Sequence, residues 1–270
     1  MRCRTLFVCL TTLCLQAAVP GFQKLGKGPG VLLIHGLGGN KEAWTEVAAE
    51  LSRDHTVLSV DLPGSGGTPG PVVVDGCADF GALARDLAAL VRREGLAPCL
   101  VVGHSMGGPI AARTVLEDPS AFRGLVLVDS FLGAIPAAYL EPTLVGLAND
   151  PRTALTVFLG HMTSSQAQTE RVVADAMRVP PAALQAYLRA LGQDPMGGRQ
   201  PRLRLPVVQL AARSRESDPA KEAATLAMFG FKDLPAFRLI HFPAARHWVM
   251  WDAPEAFLVA LRAFEAGLGR

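Results

Sequence analysis

Charged and aromatic side chains are both scarce in this chain of 270 residues: Asp, Glu, Lys and Arg make up 19% and Phe, Trp and Tyr 6%, while half of the residues are hydrophobic. So much apolar and so little charged sequence excludes a disordered tail. Neither sign of charge is in excess. With 26 Lys plus Arg against 24 Asp plus Glu, the formal charge is +2, and no basic face for nucleic acid is implied. There is no HExxH pattern and no cysteine–histidine cluster, so no metal site is read and no cofactor is called for. No segment reaches membrane length: the apolar run Thr5 to Val19 has 15 residues, short of the ~20 a spanning helix needs. The length is near the limit of one hydrophobic core, which allows one large domain with an insertion or at most two domains.

Three of the five cysteines, Cys3, Cys9 and Cys14, fall in the first 14 residues. There Arg2 and Arg4 precede the apolar run, which closes on Gln16-Ala17-Ala18. A basic start, an apolar middle and small residues at the end read as a secretory signal over residues 1–18, and hence as export or a periplasmic location. The alternative is a first β-strand over Thr11 to Val19 in a cytoplasmic protein. If the signal is removed, 24 basic residues face 24 acidic ones, and only Cys77 and Cys99 remain. These two flank an amphipathic stretch, with apolar residues at 80, 83, 84, 87, 88, 90 and 91. A helix of that length holds its ends ~24 Å apart, whereas a disulfide needs Cα atoms within ~7 Å. Two free thiols are expected.

Short apolar runs alternate with helical segments. VLLIH at 31–35, TVLSVD at 56–61, CLVVG at 99–103, GLVLVD at 124–129, PVVQLA at 206–211 and FRLIHF at 237–242 read as strands. Most are continuous β-branched or leucine runs, the pattern of strands buried on both faces of a parallel sheet. Helical candidates at 42–52, 79–94, 107–117 and 254–267 lie between or after them. The repeating order predicts a doubly wound, mostly parallel α/β sheet with functional groups at the carboxyl ends of its strands. Between Leu132 and Arg204 the alternation stops. Four helix-like pieces (137–147, 152–161, 165–178, 181–191), punctuated by prolines, predict a helical cap over residues 132–204, inserted in a core made of 19–131 and 205–270.

Directly after the CLVVG strand comes Gly103-His104-Ser105-Met106-Gly107-Gly108, with a helical segment behind it. This is G-x-S-x-G in the context of strand, sharp turn and helix, which sets a serine hydroxyl clear of the sheet beside a positive helix end. A serine hydroxyl needs a base. Of six histidines, His247 is the best placed, on a loop past the last strand. His104 is read as packing, His35 as ordering its loop, His241 and His55 as structural, and His161 as a surface or substrate-facing residue. An oxyanion needs backbone donors already in position. Met106 N–H and Leu37 N–H, the latter in the glycine-rich loop His35-Gly36-Leu37-Gly38-Gly39-Asn40, are the candidates.

Together with the Asp61-Leu62-Pro63-Gly64-Ser65-Gly66 turn and the RHWVMWDAPEAF close, these features resemble the α/β-hydrolase family, in particular its capped, single-domain esterases. The resemblance runs from about Phe22 to the end of the chain. It implies Ser105 as nucleophile, His247 as base and Leu37 with Met106 as oxyanion hole. The chain departs from the pattern at the acid. A Gly-x-x-Asp usual after the strand at 206–211 is replaced by Ala211-Ala212-Arg213-Ser214-Arg215-Glu216-Ser217-Asp218-Pro219. Asp218, the only aspartate of that loop, is the first choice; Asp129, ending the preceding strand, is the alternative, and Glu216 the third. The resemblance implies hydrolysis of a small, apolar carboxylic ester through an acyl-enzyme. Lactone, amide or carbon–carbon cleavage by the same groups is the runner-up, and a ligand-binding protein without turnover is the reading from another class. Serine at the nucleophile position disfavours dehalogenase and epoxide-hydrolase chemistry, which uses aspartate on this fold. Oligomeric state is not legible.

Overall fold

The computed structural model describes residues 21–213 and 216–268; the expected signal over residues 1–18 lies outside them. Seven strands form one sheet in the order β1-β3-β2-β6-β7-β8-β9: β1 (Gly21–Leu25), β2 (Gly30–Ile34), β3 (Thr56–Asp61), β6 (Cys99–His104), β7 (Phe122–Val128), β8 (Val207–Ala211) and β9 (Phe237–His241). A separate two-stranded hairpin joins β4 (Val73–Val74) to β5 (Cys77–Ala78). β1 runs antiparallel to β3, and every other pairing in the large sheet is parallel. Every residue of β2, β6 and β8 is buried, which is why their sequences carry no polar alternation. β9, at the sheet edge, is only half-buried.

Between the strands run α1 (Thr45–Leu51), α2 (Phe80–Arg93) and α3 (Gly107–Glu117), and at the end α8 (Pro219–Met228), α9 (Val249–Asp252) and α10 (Pro254–Ala266). The start of α2 is set by Asp79, whose Oδ1 accepts from the N–H groups of Gly81 (2.8 Å) and Ala82 (3.0 Å), satisfying donors that the helix leaves open. Cys77 and Cys99, on either side of α2, are free and buried, as the spacing required. Burial pushes the Cys99 thiol up to about 12.

Between β7 and β8 the chain forms only helices: α4 (Ala137–Asn149), α5 (Pro151–Gly160), α6 (Gln166–Ala176) and α7 (Pro181–Gly192), followed by a single 3₁₀ turn. Proline opens α5 and α7 at a position where no backbone donor is needed. This region is tied to the rest of the chain at defined points. The buried Tyr187 hydroxyl donates to Pro63 O (2.8 Å), and Arg113 donates to Pro195 O (3.0 Å). The backbone N–H of His247 donates to Met162 O (3.1 Å), so the loop after β9 is held against the end of α5.

Candidate active site

β6 ends at His104, and the next residue, Ser105, has a backbone φ of +52°. A side chain other than glycine is held there only where the surroundings over-determine the turn. Ser105 N–H donates to Val128 O (3.0 Å), and Ser105 O accepts from Gly108 N–H (2.9 Å) and from the Ser130 hydroxyl (2.6 Å). Glycine is required on the strand side: a Cβ on Gly103 would run into Gly107 O and Gly108 Cα. Ser105, Asp129 and His247 line one cavity of about 500 Å³.

Asp129 follows β7 and also takes a positive φ, +41°. Its N–H donates to Leu210 O (2.9 Å), and its Oδ1 accepts from Ala212 N–H (3.0 Å), so two bonds to β8 and its exit fix the carboxylate. The other oxygen, Oδ2, lies 2.6 Å from His247 Nδ1. A carboxylate only accepts, so Nδ1 carries a proton, and in the neutral tautomer that this bond selects Nε2 is the accepting nitrogen.

The expectation of Asp218 as partner of His247 is therefore corrected. Asp218 Oδ1 accepts from Ala220 N–H (2.9 Å) and caps α8, with Pro219 in the first turn. Glu216 is engaged nearby, accepting from Asp218 N–H (3.2 Å). The signal was present: Asp followed by Pro is a helix start.

His35 and His104 tie the site together. His35 Nδ1 donates to Gly36 O (2.7 Å) and its Nε2 accepts from Leu62 N–H (3.0 Å), a pattern only the neutral ring can make. Burial holds its pKa below the ordinary value. His104 Nε2 donates to His247 O (3.0 Å), with the two rings 4.6 Å apart. Burial, reinforced by the neighbouring His247, places His104 well below the usual histidine range. Gly36 to Gly39 form a turn closed by Gly39 N–H to Gly36 O (3.1 Å), with Gly38 at φ +70°, the position where such a turn demands glycine. Among the described residues, neither Leu37 N–H nor Met106 N–H has an acceptor within the protein.

The remaining histidines are engaged elsewhere. His55 bridges Asp54 (2.6 Å) and Glu265 (2.8 Å), His161 meets the Tyr139 hydroxyl (2.8 Å), and His241 lies 3.6 Å from Glu222. Two residues went unnoticed in the sequence. Ser130 fixes the Ser105 turn, and Gln209 in mid-β8 donates to Ser130 O (3.0 Å) and lines the cavity. An amide inside an otherwise apolar buried strand was the available signal.

The cavity walls are mainly apolar. Ile135, Phe158, Leu159 and Leu191 come from the helices between β7 and β8 and the segment before them, and Phe229, Phe231 and Leu239 from the exit of α8 and from β9. Asp175, from α6, also reaches it, and burial raises its pKa. No helix among the described residues is long and apolar enough to cross a membrane.

Known proteins share stretches of this sequence and its fold. A fluoroacetate dehalogenase from Burkholderia sp. is 37% identical over 106 residues, 38% of this chain and 35% of that protein. The chain thus spans about a third of the length of the first curated relatives it matches, 35% and 31%. A pimeloyl acyl-carrier-protein methyl ester esterase from Aeromonas salmonicida is 26% identical over 90% of this chain and 97% of its own. An esterase from Thermogutta terrifontis, solved with malate bound, superposes with a TM-score of 0.77 at 21% identity, over 94% of this chain and 98% of its own; at that identity the likeness is one of fold. The alpha/beta hydrolase family model matches residues 31–261, and the chain belongs to that family.

Proposed function

We propose that the chain is a serine hydrolase that cleaves small carboxylic esters through an acyl-enzyme. The observation that carries the reading is the 2.6 Å Asp129–His247 bond beside a serine held at φ +52° on the same cavity. With its proton fixed on Nδ1, His247 accepts the Ser105 proton at Nε2 as the hydroxyl adds to the ester carbonyl, and Asp129 stabilises the imidazolium. The unclaimed N–H groups of Leu37 and Met106 receive the oxyanion. His247 then protonates the leaving alcohol, and the cycle repeats with water on the acyl-enzyme.

Residues 132–204 act as a cap that supplies apolar wall, and residues 1–18 serve as an export signal. The reading draws further support from the methyl ester esterase among the relatives. The dehalogenase name does not transfer. Displacing halide with a serine oxygen would leave an alkyl ether, which water does not cleave under these conditions, whereas a carboxylate nucleophile leaves a hydrolysable ester.

The test is turnover of p-nitrophenyl butyrate by the wild type and by Ser105→Ala and His247→Ala. Each substitution is expected to lower kcat by about 10³-fold or more. Turnover in Ser105→Ala equal to that of the wild type would refute the assignment.

A further inference from the structure

Among the described residues, the acidic and basic side chains that border the Ser105 cavity are Asp129, Asp175 and Arg213. Two of them are matched. Asp129 is held by His247 (2.6 Å) and Ala212 N–H (3.0 Å), and Arg213 donates twice to Glu222, at 2.8 and 3.3 Å. Asp175 is matched only weakly. It pairs at 3.5 Å with Arg178, whose side chain is 76% exposed, and a pair so open to water contributes little. Arg171, a turn earlier, is drawn aside, its guanidinium 4.1 Å from the centre of the Trp251 ring. Neither arginine borders the cavity.

The fold itself does not favour a carboxylate at this place. Asp175 stands in the last turn of α6, where the negative end of the helix disfavours negative charge. Its side chain is 23% exposed, so much of its hydration is lost, yet it keeps accessible surface. Burial lifts its carboxyl above the ordinary value even though Arg178, Asn40 and Arg171 pull the other way. A Cβ on Gly38 would lie 2.6 Å from Ala176 Cβ, so this end of α6 rests on the glycine-rich loop that carries Leu37.

The geometry points to Asp175 as a specificity-determining residue: the preferred ester of Ser105 carries a cationic group that pairs with this carboxylate, while its apolar part fills the rest of the cavity. The inference rests on the serine hydrolase reading above. Between apolar walls an opposite charge is worth more than the same pair in water. An anionic ester would instead meet two carboxylates, and Arg213 does not reverse that preference, since its charge is matched by Glu222.

The experiment uses the full chain and pairs of esters of the same shape, one ending in a trimethylammonium group and the other in a tert-butyl group. One series carries the group on the alcohol part, as choline against 3,3-dimethylbutyl butyrate, and is followed by acid release. The other carries it at the end of the acyl chain of p-nitrophenyl esters, with the chain lengthened one carbon at a time. Each kcat/KM is divided by the rate constant for hydroxide hydrolysis of the same ester, which removes differences in intrinsic reactivity. The readout is the ratio, cationic over neutral, within each enzyme, so that any general loss of activity cancels. In the wild type at least one pair is expected to give a ratio of about tenfold. In Asp175→Asn and Asp175→Ala the ratio should fall below one, because the apolar walls then favour the tert-butyl group. A wild-type ratio at or below one for every pair, or a preference for the cation that survives in either variant, would overturn the assignment. Failure to hydrolyse any neutral ester would instead refute the serine hydrolase reading, so the two failures are distinguishable.

Discussion

Asp129 Oδ2 and His247 Nδ1 lie 2.6 Å apart, joined across 118 residues of sequence. The carboxylate stands at the end of β7, the strand that pairs directly with β6, which leads into Ser105. Asp129 N–H and Oδ1 are meanwhile bonded to β8 and Ala212, so both oxygens are committed and the ring orientation of His247 follows from the sheet itself.

Replacing Asp129 by Asn should therefore cost far more activity than replacing Asp218. In Asp129→Asn the amide can donate, which favours the wrong histidine tautomer, and kcat is expected to fall about 10³- to 10⁴-fold. Asp218→Asn should leave turnover within a few-fold, and Asp218→Ala should lose about 0.5–2 kcal/mol of stability by uncapping α8. Steady-state kinetics and thermal melts separate these outcomes, and equal losses of kcat in the two Asn variants would count against the pairing.

The strands of the parallel sheet and all four helices between β7 and β8 were legible because their patterns are long and strongly biased. β1 was not: GFQKL alternates weakly at an exposed antiparallel edge. The two-residue strands of the β4–β5 hairpin are too short to carry any period. The places of Ser105, in a turn after a strand, and of His247, on the loop past β9, could be read because glycines and strand ends mark them. The carboxylate that meets His247 could not, since it depended on which of two carboxylates a neighbouring strand would engage. Ala212 N–H takes Asp129, and the Pro219 helix start takes Asp218.

Stability should fall on mild acidification. Burial depresses both His35 and His104 below the ordinary histidine value of 6.5, so the unfolded chain binds protons that the folded chain refuses. Each then contributes stability that is complete above 6.5 and is lost as pH falls toward its lowered value, by about 1.4 kcal/mol per pH unit per histidine at the steepest. Denaturant titrations between about pH 7 and pH 5, the range where histidine charges, should show this slope. His104→Gln, which keeps a donor but does not titrate, should flatten it. An unchanged slope in that variant would contradict the assignment of the effect to His104.

The apolar walls set an expected chain-length dependence. Each methylene added to the acyl group should raise kcat/KM about fourfold while it is still being buried, from the ~0.8 kcal/mol per CH₂ of apolar transfer. The rise should stop when the cavity of about 500 Å³ is filled. Leu159→Phe, at a buried wall position, should move the optimum to a shorter ester. An optimum unmoved by that substitution would place the acyl chain elsewhere.

The most direct measurement is intact-mass and peptide-level detection of a fluorophosphonate adduct. The expected result is a single phosphonyl adduct on the peptide carrying Ser105, absent in Ser105→Ala and formed at least about 10²-fold more slowly in His247→Ala, in keeping with the loss of a general base. An unlabelled wild type, or labelling that persists at full rate in Ser105→Ala, would contradict the claim that Ser105 is the nucleophile.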